Sequence, residues 1–404
     1  MTRIALATVL AIGLTASAQD APDLVVHEWG TFTAVYGADG TMMEWRPLIG
    51  DDLPEFVYDR ATVVPRVRQG KGEYTTYERM ETPVLYFYTE KETHVSVHVR
   101  FPKGLITEWY PFVGHTAPAI GASAPPVRDG AVSWWAEIVP ASKASPKLAT
   151  RGESNHYYHA RETDAAYVRC RDRDSGARRD EWEKFLFYRG IGNFDLPLSV
   201  KTAEDARFTV ANPTGRPIRH LFALKIARDG TGRFGYADQV EAGATRALAA
   251  DGEPLAKDAF VRAIGAKLEE SLVAEGLYRK EAKAMVKTWT DSYFQTEGTR
   301  LLYVLPEPLT NELLPITIQP APKQIKRVLV ARVDVMTPEQ TRSLHELIRE
   351  LGDETFDARE AASKRIASYG RFAQPALTEA IRTADDPEIR SRAKDLLDRL
   401  VPRR

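Results

Sequence analysis

The chain has 404 residues, with 55 basic against 56 acidic side chains and a formal net charge of -1, which excludes a general electrostatic attraction to nucleic acid. At 43% hydrophobic residues it carries enough apolar material for packed cores, which excludes a disordered chain and at this length suggests two or three domains. Cys170 is alone, so an intramolecular disulfide and a cysteine-based zinc site are both excluded.

The opening places Arg3 ahead of an apolar run from Ile4 to Leu14, and Ala16-Ser17-Ala18 ahead of Gln19. That order of charge, apolar stretch and small residues reads as a secretory signal peptide over 1–18, cleaved after Ala18. The run is about half the length a membrane-spanning helix needs, and none longer follows, so no integral membrane segment is expected after cleavage. The expected location is the periplasm or the extracellular space.

From residue 19 to 195 the expectation is a β-rich domain. Thr31 to Tyr36 and Thr41 to Trp45 flank the turn-forming Gly37-Ala38-Asp39-Gly40. Pro83 to Tyr88 is apolar on both faces, as in a central strand, whereas His94, Ser96, His98 and Arg100 alternate with Val95, Val97, Val99 and Phe101, as in a half-buried one. Thr89 to Thr93 would join the two as a hairpin. Residues 196–250 read as a sandwich-like unit, with turn signals between short apolar runs. Over 251–336 a helical pair is expected, with Phe260, Ile264 and Leu268 on one stripe and Met285, Trp289 and Tyr293 on the other, followed by strands over Leu301 to Leu305 and Lys326 to Val335. Residues 337–404 read as helices throughout. Arg359, Ala362 and Ile366 recur as Arg390, Ala393 and Leu397 at an offset of 31 residues. This tail resembles HEAT repeats of the phycobilisome-lyase-like kind. The fold class that follows is α+β, a β-sandwich-rich body with a helical insertion and a C-terminal helical segment.

Four local sequences stand out: His27-Glu28-Trp29-Gly30-Thr31-Phe32-Thr33, Glu81 to Tyr88, Leu105 to Pro111, and Glu297 to Pro306. Together they resemble a set of uncharacterised exported bacterial proteins in which such an opening joins a β-rich body, and the resemblance implies architecture without an activity. On a strand His27 and Glu28 point to opposite faces, so they form no simple dyad. His27 and Trp29 either close the sandwich edge, with Glu28 solvated, or face a ligand.

A second cluster runs from Asn155 to Asp164. His156 and His159 could hold a divalent metal, with Glu162 or Asp164 as third ligand or general base, although this spacing lacks the helical pairing and adjacent Glu of the strong metalloprotease pattern. Alternatively Arg161 clamps a carboxylate or sulfate while Tyr157 or Tyr158 stacks on a sugar or aromatic group. The bland alternative is a surface loop held by an Arg161 ion pair. His94 and His98 lie roughly 13 Å apart on a regular strand, too far for joint ligation, and read as solvated. Glu297 and Arg300 read as a structural ion pair. No cofactor is specified. Two functions remain open: an exported soluble binding or scaffold protein with a protein or glycan ligand, and a secreted hydrolase, with or without a metal, acting on a glycan or peptide. A shared concave site for His27 and the His156 to Asp164 segment would favour a ligand-binding or hydrolytic role.

Overall fold

A computed structural model describes residues 23–48, 52–60, 74–121, 125–150, 155–172 and 179–400. The expected signal peptide lies outside these residues.

The centre of the molecule is β1 (Val25–Tyr36), buried on both faces. It pairs in parallel with β18 (Gln324–Val335) along its whole length and antiparallel with β3 (Glu78–Tyr88). Beyond β18 lie β16 (Gly298–Val304), β13 (Ile218–Ile226) and β14 (Gly232–Val240); beyond β3 lie β10 (Leu186–Gly192), β5 (Gly104–Tyr110) and the short β2 (Tyr58–Asp59), completing nine strands.

The two-residue strand period sends this sheet's side chains into two separate cores. Val26, Phe32, Leu85, Tyr188, Leu301 and Leu329 face two smaller sheets, so this half is a sandwich. One of those sheets is formed by β17 (Ile316–Gln319), β4 (Thr93–Phe101), β7 (Gly130–Val139), β8 (Tyr167–Arg171) and β9 (Asp180–Glu183), with β6 (His115–Ala117) paired to β7; the other by β11 (Ser199–Ala203), β12 (Arg207–Ala211) and β15 (Thr245–Ala249). On the opposite face Trp29, Val84, Phe187, Leu302 and Val328 meet Phe260, Ile264 and Leu268 of α1 (Lys257–Ala274) and Met285 and Trp289 of α2 (Arg279–Trp289). Tyr293 continues the α2 stripe on a π-turn over Thr290–Phe294. Gly276, at φ +106°, takes the left-handed conformation that separates the helices.

Two expectations change. Residues 89–92 do not close a hairpin: β3 belongs to the nine-stranded sheet and β4 to the six-stranded one, so the chain crosses from one layer to the other. The burial patterns carry the reason, since β3 is covered on both faces while β4 buries only Val95, Val97, Val99 and Phe101. Residues 196–250 do not form a unit of their own either; β13 and β14 extend the large sheet while β11, β12 and β15 cover it.

After α3 (Glu307–Leu313) and β18 the chain enters α4 (Pro338–Glu350), α5 (Phe356–Ser368), α6 (Ala373–Thr383) and α7 (Pro387–Leu400). Thr337 caps α4 by accepting from Gln340 N, and Thr355 caps α5 by accepting from Ala358 N. These helices own a separate core of Leu344, Leu347, Ile366, Leu377 and Leu397. The 31-residue offset is structural. Arg359 Nη1 donates to Asp353 O and Arg390 Nη1 to Ala384 O, six positions back in each case, and both Ala362 and Ala393 are fully buried. Among the described residues no helix is long and apolar enough to cross a membrane.

Candidate functional site

The helix-facing side of the large sheet is apolar only where α1 and α2 cover it. Further along the same strands it turns charged, in a stripe crossing six adjacent strands. Glu108 on β5 stands opposite Arg189 on β10. On the next strand, β3, Arg79 and Glu81 pair in register with Thr33 and Thr31 of β1, and Thr33 pairs with Arg332 of β18. Asp334, two residues on, pairs with Arg300 of β16.

Ion pairs knit this stripe together. Arg189 contacts Glu108 at 2.9 Å and Asp52 at 2.6 Å, and Arg79 contacts Asp52 at 2.9 Å. Arg332 lies 3.0 Å and Arg300 3.1 Å from Asp334, which also accepts from Arg371. The Arg332 guanidinium stacks over the Tyr293 ring at 4.3 Å. Burial would raise the Asp52 carboxyl, but Arg189 and Arg79 hold it below its ordinary range. Burial would likewise raise Glu81, and Arg79, Arg332 and Arg371 lower it. Arg371 and Arg300 are pushed down by burial and by neighbouring arginines, so positive charge is crowded here.

Above the stripe lies a cavity of about 940 Å³ between the sheet body and the C-terminal helices. Its sheet side presents Arg79, Glu81, Thr82, Arg189 and Arg332, with Asp52 and His156 beside them; α2 and the turn after it add Trp289, Asp291 and Ser292. Arg365, Ser368, Tyr369, Gly370, Arg371 and Phe372 close it from the α5–α6 junction. That junction is fastened to the body by Arg371, stacked 5.3 Å from the Trp45 ring, and by Gln374, which accepts from Arg46 N at 2.9 Å.

Local backbone geometry aims the floor. A register shift between Trp29 and Thr31 leaves Gly30 facing Pro83, and a Cβ on Gly30 would meet Pro83 Cα at 2.9 Å. This close approach accompanies a bulge in which Thr82 takes φ +48°, a costly conformation for a β-branched residue. Thr82 Oγ1 accepts from Trp289 Nε1 at 3.2 Å, tying the bulge to the helical layer.

The residues singled out from sequence divide among different environments. His156 lines the cavity; burial pushes its imidazole below the ordinary range against the opposing pull of Asp52. His159 instead pairs with Glu162 at 2.9 Å on the surface. Among the described residues no group of three or more His, Cys, Asp and Glu side chains is disposed to hold a metal ion. Glu162 and Asp164 sit in exposed ion pairs with Lys287 and Lys280, outside the cavity, so their charges are spent on docking this segment to α2. Arg161 clamps the buried Glu183 rather than an open ligand position, at 2.6 Å, and stacks 4.8 Å from Tyr158. Tyr157 is buried and donates to Glu183 at 3.2 Å.

His27 is sealed. Its Nδ1 lies 2.8 Å from Glu281 Oε2, its ring rests 4.4 Å from that of Tyr278, and Tyr88 donates to the other Glu281 oxygen at 2.8 Å. It therefore fastens α2 to β1 and does not share the His156 cavity. Trp29 is wholly buried against Trp289 and Tyr86. Glu28 is not solvated: on the sandwich side it accepts from Arg327 Nε at 2.6 Å and from the Tyr188 hydroxyl at 2.5 Å, because that face is covered by a second sheet. Glu297 and Arg300 are not partners through their side chains; Arg300 turns to Asp334 and Glu297 lies 3.6 Å from Arg228. His98 contacts the Ser133 hydroxyl at 2.8 Å.

The charged stripe itself escaped the sequence reading. Its only local signal is charge at two-residue spacing inside otherwise apolar strands, Arg79 and Glu81, then Arg332 and Asp334. All four segments noted as unusual nonetheless supply it, through Thr31 and Thr33, Glu81 and Thr82, Glu108, and Arg300.

No protein-family model matches the chain, and no curated protein matches it in sequence. Among solved structures, the yeast delta-COP-I mu-homology domain complexed with a Dsl1 WxWxV peptide aligns at 8% identity, covering 78% of this chain and 96% of that one, with a TM-score of 0.24. The yeast delta-COP-I mu-homology domain alone aligns at 7% identity, with the same coverage and a TM-score of 0.24. A likeness of that size carries no argument about function.

Proposed function

We propose that this is an exported binding protein, acting in the periplasm or outside the cell, which holds a ligand in the cavity between its sheet body and a HEAT-like helical segment. The observation that carries this reading is the charged stripe itself. Burying ionisable groups along a sheet is costly unless they are paired, and an apolar packing of the α5–α6 junction would avoid that cost. Polar groups converging from separate elements on one concavity are the usual mark of a ligand site. A binding role is favoured over hydrolysis because Glu162 and Asp164, the acid–base candidates, are engaged in surface ion pairs.

The test is a thermal-shift screen of the secreted protein against saccharides, peptides and small metabolites, with Ser368→Trp as the cavity-filling control. Ligands are expected to raise the melting temperature of the wild type and not of the variant. Hits that stabilise both proteins equally would refute the cavity as the site. Export itself predicts an intact mass beginning at Gln19; a membrane-bound product retaining Met1 would refute it.

A further inference from the structure

We propose that the ligand is recognised through an acidic group, a carboxylate, sulfate or phosphate, gripped between Arg79 and Arg332 on the sheet and Arg365 and Arg371 at the α5–α6 junction. This rests on the cavity being a binding site.

The charge inventory separates into two parts. Arg79 and Arg189 are matched by Asp52 and Glu108, a balanced set of two cations and two anions. Arg300, Arg332 and Arg371 meet Asp334 and share Glu81 with Arg79, which leaves one positive charge over; Asp291, on the turn after α2, is the carboxylate of the lining that offsets it, while Glu297 pairs with Arg228. The wall from the C-terminal helices, through Arg365, makes the balance positive again. Its lining residues, Gln340, Arg365, Ser368, Tyr369, Gly370, Arg371 and Phe372, include two arginines and no carboxylate. Arg365 is exposed at the rim, and its guanidinium has no ion-pair partner among the described residues. An entering oxyanion would accept the planar, bidentate donation that arginine offers, and would relieve the repulsion among Arg371, Arg332, Arg300 and Arg79. Tyr369 and Phe372 add ring faces and Thr82, Ser292 and Ser368 add hydroxyls, which suits an acid carried on a saccharide better than a bare ion.

An anion held there would touch both the body and the helical segment. Binding should therefore fasten the segment as well as fill the cavity.

The experiment is calorimetry on the full mature chain at constant ionic strength, using sodium sulfate, sodium phosphate, digalacturonate and, as a neutral counterpart, maltose. Digalacturonate is expected to bind more tightly than either inorganic anion, with maltose not binding. Arg365→Gln, on an exposed residue and checked for an unchanged melting temperature, is expected to weaken digalacturonate about tenfold. Sulfate or phosphate binding as tightly as digalacturonate would support the acidic group and overturn the saccharide. Should maltose or another neutral ligand bind the wild type, fail on Ser368→Trp and ignore Arg365→Gln, the acidic-group assignment is overturned while the binding reading stands. If neither these probes nor any screened compound distinguishes the wild type from Ser368→Trp, both readings fall.

Discussion

Gly30→Ala tests how the floor of the cavity is made. The added Cβ would lie 2.9 Å from Pro83 Cα, 3.1 Å from its Cγ and 3.2 Å from its Cβ. Carbon atoms in contact prefer about 3.5–4.0 Å, so three contacts are each short by several tenths of an ångström. The atoms concerned belong to a backbone and a ring, neither of which can rotate away. The overlap must therefore displace β3 from β1, at the cost typical of overpacking, about 1–3 kcal/mol. In urea denaturation that corresponds to a midpoint lowered by about 0.3–1 M at a slope of about 3 kcal/mol per molar. The displacement also moves Thr82 away from Trp289, so digalacturonate affinity should fall in parallel. Gly215→Ala is the control, since a Cβ there meets nothing within 4 Å. Equal midpoints for the two variants would refute the claim that Gly30 is required by the approach of Pro83.

Glu78 is buried with both carboxyl oxygens unpaired, and burial, with Asp195 nearby, raises its pKa well above the ordinary value. The folded state thus keeps a proton that the unfolded chain releases, so this contribution is fully present below about pH 4 and is lost as pH rises towards the folded pKa, at about 1.4 kcal/mol per pH unit. Glu78→Gln should flatten that slope in denaturation measured from pH 5 to 8; identical slopes would contradict it. Arg327→Met strands Glu28 in the sandwich core and should cost about 3–5 kcal/mol, with much of the loss recovered in the Glu28→Gln, Arg327→Met double variant. Additive losses in that cycle would show that the pair is not coupled.

The parts of this architecture legible in sequence are those written in local period. The alternation of β4, the stripes of α1 and α2, and the repeat linking Arg359 to Arg390 all depend on neighbours within one element. What escaped depends on registration between distant strands. Arg332 and Asp334 look like interruptions of an apolar run until β1 brings Thr33 beside one and β16 brings Arg300 beside the other. The His156 to Asp164 cluster misled for the converse reason. Its density of functional side chains is real, but most of them pair with α2 or with Glu183, and only His156 reaches the cavity.

The parallel pairing of β1 with β18 imposes an order of events. Glu28 and Arg327 are 299 positions apart, yet their strands are neighbours in the middle of the large sheet. Until the chain is synthesised past residue 335, β1 lacks one of its two flanking strands and Glu28 lacks its counter-charge. Closing so long a loop is slow, and contacts of this range reward it only at the end. The chain should accordingly lack the native core of the large sheet until β18 has been made. Cutting it anywhere before β18 should prevent folding of the sheet even though most of its strands are intact.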